Sequence, residues 1–158
     1  MTADHQHFMR IAIAEARAGA AAGEQPFGAV VTRDGEVVCQ TRSLKVATSD
    51  TTAHSELLAI KCATQKLQQR IISDCTFYAT CEPCPMCLGS VFNAGINRLV
   101  LGARNRHIQE TAKLAFHFKD YSVERFAEMV GWELELVEGV LTDECVDLYR
   151  QASAELTR

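Results

Sequence analysis

The chain has 158 residues, 47% hydrophobic and 23% charged, with 16 Lys+Arg against 20 Asp+Glu and a formal net charge of −4. That length suits one domain with a substantial core (read here as a single domain over 1–158), and the acid excess offers no general attraction to nucleic acid. No apolar run is long enough to cross a bilayer, and Glu15 and Arg17 break up the N-terminal apolar stretch, so a cytoplasmic chain with reduced thiols is expected despite its seven cysteines.

Phe8, Ile11, Ala12 and Ala16 recur at helical spacing, which predicts an amphipathic helix over 4–21 that ends at Gly23. The run PFGAVVTRDGEVVCQT then holds two β-rich stretches joined by Asp34-Gly35, a strong hairpin signal. A polar loop from Ser43 to Thr51 leads into a helix over 53–68. A short strand (Cys75 to Thr80), a helix (84–94) and a strand (Asn97 to Ala103) follow. A longer loop is expected from Arg104 to Tyr121, then a helix (123–130), a strand (Trp132 to Glu138) and a final helix (142–156). This order implies an α/β fold with three α/β/α layers around a mixed five-stranded sheet. The first hairpin supplies its antiparallel part and the helical crossovers its parallel part.

Chemistry concentrates in two stretches, TTAHSELLAI and CEPCPMC. Each sits where a helix begins. Cys84 and Cys87, three apart, can turn both sulfurs toward one ion, and the helix N-terminus favours thiolate there. Pro85 suits the fixed φ of a first helical turn. His54 can bring an imidazole to the same point. One His and two Cys leave the fourth position of a tetrahedral zinc open to water, whose pKa the ion can lower to about 7. Glu56, two residues from His54, could then move protons, a combination suited to hydrolysis. With Cys81 as a fourth ligand the shell would close into a structural site. Cys81 is instead read as a packing residue at the end of its strand, or one standing behind the ligands, since a closed site leaves Glu56 without a purpose. A redox C-x-x-C would make His54 and Glu56 coincidental.

H-x-E followed by P-C-x-x-C, present as His54-Ser55-Glu56 and Pro83-Cys84-Pro85-Met86-Cys87, is a signature of zinc nucleobase deaminases. The chain resembles the cytidine-deaminase-like superfamily over nearly its whole length. PFGAVV, SDTTAHSELLAI and YATCEPCPMCLGS look most like bacterial guanine deaminase, with tRNA adenosine deaminases close by and yeast-type cytosine deaminase further off. The resemblance implies one zinc per subunit on His54, Cys84 and Cys87, with Glu56 as proton shuttle. It implies a homodimer, and a small heterocyclic base as the partner of the site. Phe27 holds the PFGA position that helps form the base pocket, and its ring could stack on a flat heterocycle. Two other substrate positions depart from the pattern. Ser43 stands where related enzymes usually carry Asn, and Asn93 stands where guanine deaminases often carry Trp. The acidic F-D-D element of guanine deaminases is missing too; the matching stretch is LAFHFKDY, 114–121.

The expected function is zinc-dependent hydrolytic deamination of a free base, a guanine-type purine first. The alternatives are a tRNA adenosine-to-inosine deaminase, a cytosine- or isocytosine-type pyrimidine deaminase, and a non-catalytic zinc scaffold. Cys39, Cys62, Cys75 and Cys145 are expected as core packing. His107, Phe116 and His117 fall on the long loop. Arg98, Arg104 and Arg106 read as a solvated face or subunit contact, with RNA phosphate as the other reading.

Overall fold

A computed structural model describes residues 2–111 and 119–156. Phe116 and His117 lie outside the described residues. In chain order the elements are α1 (Thr2–Ala21), β1 (Gly28–Arg33), β2 (Glu36–Arg42), α2 (Lys45–Thr48), α3 (Ser55–Leu67), β3 (Thr76–Cys81), α4 (Pro85–Asn93), β4 (Arg98–Ala103), α5 (Asn105–Thr111), α6 (Val123–Val130), β5 (Glu135–Val137) and α7 (Thr142–Leu156).

The five strands form one sheet in the order β2-β1-β3-β4-β5. β1 pairs antiparallel with both β2 and β3, while β3–β4 and β4–β5 are parallel. Strand side chains alternate between the two faces, as a pleated strand requires. Ala29, Val31, Phe77, Ala79, Leu99 and Leu101 pack with apolar residues of α3, α4 and α6. Val30, Tyr78 and Val100 pack with those of α1 and α7. Two apolar layers thus sandwich the sheet, which is the expected three-layer architecture.

Asp34 (φ 52°) and Gly35 (φ 77°) both take positive φ between the paired Arg33 and Glu36, the geometry of a two-residue type I′ hairpin. α1 closes with a Schellman motif: Glu24 N–H donates to the Gly19 carbonyl and Gly23 N–H to that of Ala20. Its buried stripe is Phe8, Met9, Ala12, Ile13 and Ala16, one position around from the expected face, leaving Ile11 half-buried. A Cβ on Gly28 would stand 1.9 Å from the Ala12 carbonyl oxygen, so the close approach of α1 to β1 depends on glycine.

Two expected loops contain helix. The Ser43–Thr51 stretch holds α2, because the buried Glu24 carboxylate accepts from Val46 N (3.0 Å) and Ala47 N (2.7 Å). That cap comes from more than twenty residues away, so no local pattern announces it. The Arg104–Tyr121 stretch opens with α5, held by buried Ile108 in the α1–α7 layer. A second correction concerns the thiols. Cys39 on β2 and Cys62 on α3 form a disulfide with a Cα–Cα distance of 6.2 Å, so these two are not free packing cysteines. Cys75 and Cys145 are buried free thiols, as expected. Among the described residues no helix is long and apolar enough to cross a membrane.

Candidate active site

The sheet topology gathers most of the singled-out residues at one end. β3 runs antiparallel to β1, so the C-terminal end of β3 lies beside the N-terminal end of β1. Cys84 follows β3 at that end and Phe27 precedes β1 there. β2 also finishes there, since Arg42 pairs with Gly28. Ser43 N–H donates to the Phe27 carbonyl (3.4 Å), and Leu44 N–H to the Ala53 carbonyl (3.0 Å), which brings the start of α3 to the same place. β3 has an antiparallel neighbour on one side and a parallel one on the other. The site therefore sits beyond the carboxyl end of a strand where the sheet changes direction, a common place for ligands in α/β folds.

His54 and Cys84 are the N-cap residues of α3 and α4, both with extended backbone (φ −68°, ψ 147° and φ −69°, ψ 166°). Neither side chain makes the capping hydrogen bond usual at that position. They turn toward each other instead. His54 Nδ1 lies 3.8 Å from Cys84 Sγ and 3.5 Å from Cys87 Sγ, and the three atoms lie within 4.8 Å of one another. An ion about 2.0 Å from a nitrogen and about 2.3 Å from a sulfur, at the tetrahedral angle, holds those atoms roughly 3.5 Å apart. The donor set and its spacing therefore fit a metal ion such as zinc, and among the described residues only these three His, Cys, Asp or Glu side chains form such a group.

Glu56 occupies the first turn of α3 and is buried, and the Ser55 hydroxyl donates to its Oε2 at 2.9 Å. Ser55 is thus a partner of the carboxylate. Burial pushes the Glu56 carboxyl above its ordinary value, and the Ser55 hydrogen bond acts the other way. Thr41 Oγ1 donates to the Ser55 carbonyl (2.7 Å) and ties this turn to β2. A hydrogen bond from Cys87 pulls the Cys84 thiol down to about 4, with His54 adding to it against burial, while the same contact pushes Cys87 up. The Cys84 hydrogen bond holds His54 above its ordinary value.

Phe27 is half-buried and packs against Tyr149 of α7 at 5.4 Å between ring centroids, so it shares pocket end and core. Ser43 is buried, and its Oγ accepts a long bond from Lys45 N (3.5 Å). Asn93 is not brought to this end. It is the last residue of α4, roughly 13 Å of helix rise from Cys84. It is exposed, and its Nδ2 donates to the Gly89 carbonyl (2.9 Å). Cys81 is no part of the cluster. It packs with Ile108, Cys145 and Tyr149 in the α1–α7 layer, and its thiol donates to Asn105 Oδ1 (3.7 Å).

The basic group Arg98, Arg104 and Arg106 does not form one face. Arg104 is buried and ion-paired to Glu82 (3.2 Å), Glu124 (2.7 Å) and Glu138 (2.8 Å). Arg98 bonds the Asp74 carbonyl, and Arg106 is exposed. His107 Nδ1 accepts from Arg104 N at the start of α5 (3.1 Å). Sequence reasoning missed Glu82 and Tyr121. Glu82 carried a signal, a carboxylate directly before Pro83-Cys84; Tyr121 carried none.

The model of the MafB19-like deaminase family matches residues 3–143. A tRNA-specific adenosine deaminase of Haemophilus influenzae is 33% identical over 141 residues, covering 89% of this chain and 78% of that protein. A guanine deaminase of Bacillus subtilis is 39% identical over 90 residues, 56% of this chain and 58% of that one. A chloroplastic tRNA(adenine(34)) deaminase of Arabidopsis thaliana is 40% identical over 99 residues, and the match spans only 8% of its length. Among solved structures, a tRNA:A34 deaminase aligns with a TM-score of 0.77 at 29% identity, covering 90% of this chain and 98% of that one. A guanine deaminase from Nitrosomonas europaea aligns with a TM-score of 0.82 at 25% identity, covering 94% of this chain and 84% of that one. The chain belongs to the MafB19-like deaminase family and has the cytidine-deaminase-like fold.

Proposed function

We propose that this chain is a zinc-dependent hydrolase that deaminates a free heterocyclic base, a guanine-type purine first, with His54, Cys84 and Cys87 as the zinc ligands. The observation that carries the reading is the convergence of His54 Nδ1 and the two Sγ atoms at ligand spacing beside a buried Glu56. Zinc bound there would supply a Lewis acid that makes hydroxide available from water near neutral pH. Everything else falls to side chains of the chain itself. Glu56 takes the proton from the attacking water and delivers it to a ring nitrogen of the base, then carries the proton of the newly added hydroxyl to the amino group, so that the C–N bond breaks, ammonia leaves and the carbonyl forms. Ser55 orients the carboxylate by its hydrogen bond to Oε2. Phe27 offers its ring face to the base from the start of β1. Ser43, shorter than Asn, places a hydroxyl where a side-chain amide would otherwise reach, which changes the hydrogen-bond set offered to the base.

Two observations support a small base over a polynucleotide. The net charge is −4, and Arg104 is occupied by three carboxylates. RNA binding relies on cations free to meet phosphates. The second reading, tRNA adenosine deamination, is favoured by the match to the Haemophilus influenzae enzyme over 89% of this chain. The test is ammonia release by zinc-loaded protein from guanine, 2,6-diaminopurine, adenine, cytosine, isocytosine and their nucleosides, run beside an anticodon stem-loop carrying adenosine at its wobble position. Turnover of a free base with none of the stem-loop upholds the first reading. Turnover of the stem-loop alone replaces it with the second.

A further inference from the structure

Cys84 is the N-cap of α4, yet its side chain makes no capping bond, so the segment that presents it is held by something other than the helix. The residue before it, Pro83, has no N–H and offers only its carbonyl. That carbonyl accepts from the Tyr121 hydroxyl at 2.6 Å, across 38 residues of sequence. One residue further back, Glu82 is 5% exposed and its carboxylate takes three donors: Asn105 N (2.9 Å), Val123 N (3.1 Å) and Arg104 Nη2 (3.2 Å). Glu82 N–H in turn donates to the Ala103 carbonyl (2.8 Å). The dipeptide before Cys84 is thus fastened to the end of β4, the start of α5 and the start of α6. α3 shows the same arrangement in simpler form, since its uncapped start at His54 is held by Thr41 and Leu44.

We infer that Glu82 and Tyr121 are positioning residues for Cys84, holding its Sγ in register with His54 Nδ1 through the backbone of Glu82-Pro83. The inference rests on the reading of His54, Cys84 and Cys87 as metal ligands. Partners that orient a ligand typically change metal affinity by about 10- to 100-fold when removed. The fastening also joins the site to the segment after residue 118, because Tyr121 and Val123 lie on that side of the chain. Burial raises the Tyr121 hydroxyl above its ordinary value, which keeps it a donor.

Tyr121→Phe in the full chain is the decisive variant, since it removes one oxygen and keeps the ring packed against Phe126. Glu82→Gln is its companion. Zinc affinity is measured by competition with a chromophoric chelator, the cobalt form is examined by its d–d absorption, and the thermal midpoint of the metal-free protein is recorded for each. The expected result is zinc affinity lower by about 10-fold or more in Tyr121→Phe, with shifted cobalt bands. Rescue of neither readout is expected from conditions that merely raise stability. If the variant binds zinc within about twofold of wild type and keeps its cobalt spectrum, the inference fails, whatever happens to the thermal midpoint. A wild-type chain that binds neither ion overturns the metal reading along with it. Should Glu82→Gln not fold, Tyr121→Phe alone decides.

Discussion

Reducing the Cys39–Cys62 disulfide should cost this protein a large part of its stability. The bond closes a segment with a sequence separation of 23 and crosses from β2 to α3. In the chain-entropy treatment a loop of that size removes about 3.4 kcal/mol of denatured-state entropy at 25 °C. For a domain of this length that corresponds to a thermal midpoint shift of roughly 7–14 °C. The figure is an upper value, because β2 and α3 already pack on each other in the folded state and the denatured chain keeps residual structure. The assay is urea unfolding of metal-free protein, oxidised and reduced, with thiols counted in denaturant. Five titratable thiols are expected before reduction, matching the five free cysteines, and seven after it. The oxidised form should unfold at higher urea with a smaller m value, since the cross-link keeps its denatured state compact. Seven thiols before reduction, or equal midpoints in the two forms, would refute the reasoning and return Cys39 and Cys62 to plain packing.

Four further outcomes are expected. Arg104→Met leaves Glu82 buried without its cation and should lower stability by roughly 3–5 kcal/mol, whereas Glu138→Gln, at the half-exposed rim of the same cluster, should cost about 1 kcal/mol or less in denaturant titrations. The pH profile should follow. Burial raises the Glu124 carboxyl, but the Arg104 hydrogen bond and charge outweigh it and hold that carboxyl below its ordinary 4.5. Its contribution is therefore fully present above that value and is lost as pH falls through the lower folded value, and Arg104→Met should flatten that part of the acid limb. A Cβ on Gly102 would stand 2.3 Å from Cys145 Sγ, so Gly102→Ala should destabilise by roughly 1–3 kcal/mol and Cys145→Ala should partly relieve it in a double-mutant cycle, because Thr80 O at 3.0 Å still crowds the site. Asn93→Ala should leave kcat/KM within about twofold of wild type; a loss of tenfold or more would put Asn93 back in a substrate pocket.

The legible parts of this molecule are those written in short-range pattern. The Asp34-Gly35 hairpin, the strand ending at Cys81 and the helix opening at Pro85 all follow from spacing and turn chemistry. So does the meeting of His54 with Cys84 and Cys87, because His54 and the Cys84/Cys87 pair each mark a helix start. What escaped is long-range. Glu24 caps α2, Cys39 meets Cys62, and Glu82 gathers Arg104, Asn105 and Val123, each through folding that brings distant segments together. Asn93 was given a pocket role by resemblance alone, and it stands nine residues of helix from Cys84, at the other end of α4. The arginines misled for a related reason: neighbours in sequence, they alternate between burial and exposure because the strand and helix around them face different ways.

The most direct test of the functional account is turnover by Glu56→Gln compared with wild type at matched zinc content, on whichever base wild type deaminates. The account predicts that the variant keeps one zinc per chain and loses about 10²- to 10⁴-fold in kcat, the usual weight of a positioned acid–base group. A variant that keeps its zinc and turns over at the wild-type rate would contradict it, and Glu56 would then be no part of the chemistry.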